Sequence, residues 1–80
     1  MTLKIDIIKT GNGYNYRNAD TRKLVGTIKE GRNKPGVFLW ETFGDYGFVS
    51  GLEQAEHELK HTLSQRANDL GIYDIEYTNI

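Results

Sequence analysis

The sequence predicts an α+β domain: a single antiparallel β-sheet in the order β-β-β-β-α-β, with one amphipathic helix packed on one face. Three observations carry this. Short runs such as Leu3-Lys4-Ile5-Asp6-Ile7 alternate apolar and polar residues with the two-residue period of a half-buried strand. Clusters of Gly, Asn and Pro separate those runs. A single segment, from Leu52 to Leu70, instead repeats its apolar residues at steps of three and four.

The elements follow in order. Leu3, Ile5 and Ile7 mark the first strand, and Gly11-Asn12-Gly13 supplies residues that tolerate a left-handed backbone, so a hairpin follows. Tyr14, Tyr16 and Arg17 make a short second strand, and Asn18-Ala19-Asp20-Thr21 turns the chain. The third strand spans Leu24 to Lys29, with β-branched Val25, Thr27 and Ile28. After the turn from Gly31 to Gly36, Val37-Phe38-Leu39-Trp40 is apolar in both registers and suits the middle of a sheet. Phe43 to Val49 mixes aromatics with turn glycines and reads as a bulged or very short strand. Ser50-Gly51-Leu52-Glu53 has the spacing of a capping box, which places the helix start at Ser50. Leu52, Ala55, Leu59, Leu63, Ala67 and Leu70 form its buried stripe, and Gly71 is positioned to end it in a left-handed conformation. Tyr73, Ile75 and Tyr77 alternate with Asp74 and Glu76 as a final strand.

At 80 residues the chain has room for one compact domain, spanning 1–80. No cysteine is present, so disulfides and thiolate metal sites are excluded and packing alone must hold the fold. The first residues lack the basic end and apolar run of a signal peptide, and no stretch of apolar residues is long enough to span a bilayer. A cytoplasmic protein with no membrane association is therefore expected. The formal net charge is -1, but its distribution is uneven. Residues 1–34 carry eight basic and three acidic side chains, and residues 35–80 carry two basic and eight acidic ones. Such polarity points to an interaction surface.

His57-Glu58-Leu59-Lys60-His61 matches the H-E-x-x-H pattern, in which two histidines on one helical face hold zinc and the glutamate activates a metal-bound water. Over these five residues the chain resembles the zincin metallopeptidases, and the resemblance implies a zinc-dependent peptidase. The residues themselves favour a different reading. With Leu59 at the centre of the buried stripe, each histidine lies about 160° away, on the face directed at water. No third histidine exists to complete a catalytic zinc site. Asp69 lies about 80° off the stripe and cannot converge with both imidazoles. The segment is read as a solvated helix face with a Glu56–Lys60 pair, and neither a metal, a cofactor nor a catalytic residue is assigned. The glycine spacing from Gly31 to Gly36 lacks the lysine of a phosphate loop and precedes a strand, so it is a turn. Arg66 falls within about 20° of the stripe's centre, where it must pair with an acid or extend to water.

One helix shelters one face of a sheet, so the other face is left for a partner. The candidate partner-binding residues are Tyr14, Tyr16 and Trp40 on the strands, with Arg17, Arg22, Arg32 and Lys34 in or beside the turns. Aromatics flanked by cations suit protein interfaces, where Tyr, Trp and Arg are the usual anchors. They also suit nucleic acid, where rings stack and cations neutralise phosphate. The expected function is a small non-enzymatic protein-binding module that occupies a surface of a larger assembly, such as a phage or mobile-element inhibitor of the anti-CRISPR kind. The alternative is a DNA- or RNA-binding domain using basic hairpins, although the acidic helix and overall charge weigh against it. The expected state is a monomer or a weak homodimer.

Overall fold

The computed structural model describes residues 1–80. Six strands and one helix follow one another as β1 (Thr2–Lys9), β2 (Gly13–Asn18), β3 (Leu24–Glu30), β4 (Val37–Thr42), β5 (Asp45–Ser50), α1 (Leu52–Asp69) and β6 (Asp74–Asn79). They form one sheet in the order β5-β4-β3-β2-β1-β6, with α1 packed over one face, mainly above β4 and β5.

The α+β architecture agrees with the sequence reading, but the sheet is mixed rather than purely antiparallel. β6 runs parallel to β1, with Thr2 opposite Asp74 and Ile5 opposite Tyr77. Parity explains this. Five strands joined by hairpins alternate in direction, so β5 ends at the same end of the sheet as β1. The helix carries the chain back across the face, and β6 must then run as β1 does.

The second difference lies in β5, which is a full six-residue strand and an edge of the sheet. Phe43 and Gly44 both have positive φ, at 49° and 83°, the combination of a type I′ hairpin turn whose twist matches the flanking strands. Gly47 has another role. A Cβ there would lie 2.8 Å from Trp40 Nε1, so only glycine lets the indole lie flat across the neighbouring strand.

The helix does not begin with the expected capping box. Ser50 remains the last residue of β5, and Gly51, at φ 91°, is the N-cap without any side-chain bond. The sharp change of direction from strand to helix needs that left-handed residue. At the other end Gly71 has φ 82°, as its position predicts; its N–H donates to the Asn68 carbonyl, and the Ile72 N–H donates to the Ala67 carbonyl. This is a Schellman motif.

Ala55, Leu59 and Leu63 are buried in one cluster with Ile5, Ile7, Tyr16, Ile28 and Trp40 from the sheet, and Ala67 is buried one turn further on. Leu70, expected in the same stripe, is instead exposed at the C-cap. Arg66, one turn earlier, pairs with Asp45 of β5 at 2.8 Å, with a second contact from Nε at 2.9 Å. The hydrogen bond to Asp45, and then its charge, raise the Arg66 pKa further. No helix is long and apolar enough to cross a membrane.

Candidate interaction surface

Strand register assigns each side chain to a face. Facing the helix are Ile5 and Ile7 of β1, Tyr14 and Tyr16 of β2, Ile28 of β3, Phe38 and Trp40 of β4, and Tyr77 of β6. The opposite face has no cover. Its rows run from Phe48 through Leu39 to Lys29, from Tyr46 through Glu41, Thr27 and Asn15 to Ile8, and from Arg17 through Asp6 to Thr78.

That face is divided. Toward β5 it is mostly apolar, with exposed Glu41 beside Tyr46: Tyr46 and Phe48 are each 67% exposed, and Val37 and Leu39 are half-buried beside them. Toward β6 it is charged, with Lys4, Asp6, Arg17, Asp74 and Glu76 in the same layer. A depression of about 460 Å³ opens between Gly31, Asn33, Lys34, Val37 and Phe48, joining the apolar half to the β3–β4 turn. Its lining offers an apolar seat with one cation, Lys34.

The expected binding residues separate into two groups. Tyr16 and Trp40 are core residues, fully buried and 8% exposed, and Tyr14 packs half-buried against the same cluster. The structure thus places these three in or against the core under α1 and not on the open face. In β4 the even-numbered residues turn toward α1, so Trp40 and Phe38 go under the helix and Leu39 and Val37 stay outside. Arg17 lies on the open face, 3.8 Å from Asp6, with its Nε buried and unpaired. Arg22, at φ 62° in the β2–β3 turn, and Arg32 and Lys34, in the β3–β4 turn, are exposed. The length of β3, roughly 20 Å, separates Arg22 from Arg32 and Lys34, so the fold does not gather these cations into one patch.

Tyr46 and Phe48 are the surface residues that sequence reasoning missed. Their signal was present as the two-residue alternation Tyr46-Gly47-Phe48-Val49, which the surrounding glycines obscured.

His57 and His61 are exposed, as their helical angle required, with rings parallel to within 7° and centroids 6.4 Å apart. No group of three or more His, Cys, Asp or Glu side chains is arranged to hold a metal. The pair supplies two nitrogen ligands where a catalytic zinc takes three protein ligands. The expected Glu56–Lys60 bridge does not form. Lys60 instead lies over the Tyr77 ring, 4.8 Å from its centroid, and Gln54 donates to Glu58 at 2.8 Å.

Beneath that contact two phenols are buried edge to face, with ring centroids 6.2 Å apart. Neither hydroxyl has a well-formed hydrogen bond. Burial, reinforced by the negative charge of Glu56, pushes the Tyr16 phenol far above its ordinary range. Burial also raises Tyr77, opposed by the nearby Ser64 hydroxyl. Both are kept neutral, which suits packing and not acid–base work near pH 7.

Comparison with protein-family models, with curated proteins and with solved structures finds no match for this chain.

Proposed function

We propose that this protein is a non-enzymatic protein-binding module, and that it acts by occupying a surface of a larger assembly with the uncovered face of its sheet. The observation that supports this most is the cluster of Tyr46, Phe48, Leu39 and Val37 on the side away from α1, with Lys34 beside it. Large rings presented by a rigid sheet cost little entropy to immobilise, and they are the usual anchors of protein interfaces. Lys34, with Lys29 in the adjoining row, favours a partner whose rim is acidic. The narrower form of the reading is a phage or mobile-element inhibitor of the anti-CRISPR kind, since blocking a surface requires no catalytic group.

The test is capture from source-cell extract, followed by reconstitution with the identified protein in purified form. Phe48→Asp and Leu39→Asp are each expected to weaken that complex by about 2 kcal/mol or more, roughly 30-fold. A partner that binds both variants as tightly as the parent overturns the reading. Retention on DNA that falls steeply with salt, and is lost when Arg22, Arg32 and Lys34 are neutralised, replaces it with the nucleic-acid alternative.

A further inference from the structure

The sheet has two edges, and they are built differently. Along β6 the residues facing away from the helix are Asp74, Glu76 and Thr78, so two carboxylates guard that edge. A second β6 laid against it would bring acid beside acid, a common protection against edge pairing. Along β5 there is no proline, lysine or bulge, and the single charge, Asp45, is already held by Arg66.

The register shows what β5 presents. The two-residue turn makes Thr42 and Asp45 a hydrogen-bonded pair. Alternation makes Trp40–Gly47 and Phe38–Val49 bonded pairs too, and the Gly51 N–H donates to the Gly36 carbonyl at 2.8 Å in the same phase. The N–H and C=O groups of Tyr46, Phe48 and Ser50 therefore point outward, away from β4. Their side chains all lie on the uncovered face.

This set is self-complementary. We infer that β5 pairs antiparallel with β5 of a second copy of the chain, centred on Phe48, to give a two-fold dimer with one continuous twelve-stranded sheet. Phe48 then faces the partner copy's Phe48 across the axis, and Tyr46 faces the partner copy's Ser50. All six outward-facing residues of the two strands are paired, and the two apolar half-faces merge into one strip. The antiparallel choice also keeps the two Lys34-bearing turns at opposite ends of the seam, where a parallel pairing would set them side by side. The two-fold axis stands perpendicular to the sheet, so both helices lie on the same face. Each sits over β4 and β5, mostly over β4, which sets the two helix axes between two and three strand spacings apart, about 10–14 Å. That is no closer than the 8–10 Å of packed helices, so α1 does not block the seam.

The chain has no cysteine, which permits a clean test on the purified protein alone. In the inferred register the two Phe48 Cα atoms form a hydrogen-bonded pair about 5.5 Å apart, within disulfide range. Phe48→Cys is expected to cross-link into a dimer under mild oxidation. Tyr46→Cys or Ser50→Cys alone should not cross-link, while Tyr46→Cys with Ser50→Cys should. Sedimentation of the unmodified chain should show twice the 9.1 kDa mass at high concentration, and Phe48→Lys, which places like charges at the axis, should abolish it. A monomer at concentrations up to about 1 mM overturns the inference, as does Phe48→Cys cross-linking no faster than a Leu24→Cys surface control. Equal cross-linking by all single cysteines does so as well. Because no partner protein is present, failure here leaves the proposed protein-binding role standing.

Discussion

The two faces of this sheet are made from the same strands, and in β4 from alternate residues of one apolar run, yet they have opposite fates. Trp40 and Phe38 pack under α1, whereas Leu39 and Val37 remain beside exposed Tyr46 and Phe48. The difference comes from the helix, which has one apolar stripe and can cover one side. Hydrophobicity along a strand reports that some face is buried; the position of the helix decides which. Truncating side chains on the two faces should therefore give very different stability changes.

The largest effect is expected at Leu59, fully buried at the centre of the helix–sheet contact. Leu59→Ala should lower unfolding stability by about 2–5 kcal/mol in a denaturant titration, the cost of lost burial plus a residual cavity. Next comes Gly47, on the covered side of an otherwise exposed edge strand. Gly47→Ala drives a methyl into the Trp40 indole and should cost about 1–3 kcal/mol, with a change in tryptophan fluorescence. A negligible loss would mean that the indole is free to swing away, and that the covered face is looser at β5 than its packing implies.

Tyr16 sharpens the comparison in another way, because its buried hydroxyl has no partner. Tyr16→Phe removes an unsatisfied polar atom and should leave stability unchanged or raise it by about 1 kcal/mol at neutral pH. It should also alter the alkaline limb. In the unfolded chain tyrosine ionises near its ordinary pKa of 10.0, while the folded protein holds the Tyr16 proton to higher pH. Stability is thus fully present below about pH 10 and falls as pH rises beyond it, because the unfolded state then binds fewer protons. The slope above pH 10 should be shallower in Tyr16→Phe. An identical slope would show that the phenol reaches water in the folded state. The smallest effect is expected on the open face: Phe48→Ser should change monomer stability by no more than about 0.5 kcal/mol. A loss comparable to that of Leu59→Ala would mean that Phe48 is buried in solution.

Much of the fold was legible from periodicity. The two-residue alternation in β1 and β6 and the three-four repeat in α1 gave each element its type, and Gly71 marked the helix end by the backbone conformation it adopts. The histidines could be set on the wet side from helical geometry alone. β5 was harder to see because Gly44 and Gly47 look alike in sequence but do different things: one forms a turn, and the other makes room for a ring. The candidate interaction surface was the least legible part. Tyr16 and Trp40 have the residue types of a binding site, and nothing local distinguishes an aromatic that packs from one that binds.

Local preferences and short-range periodicity, both properties of neighbouring residues, determined from the sequence the number of helices, the hairpin succession and the lack of a third histidine ligand. The tertiary structure decided the parallel pairing of β6 with β1, the burial of Tyr16 and Trp40, and the exposure of Tyr46 and Phe48. Those outcomes depend on where α1 lands after leaving Gly51, and that is set by contacts between residues far apart in the chain.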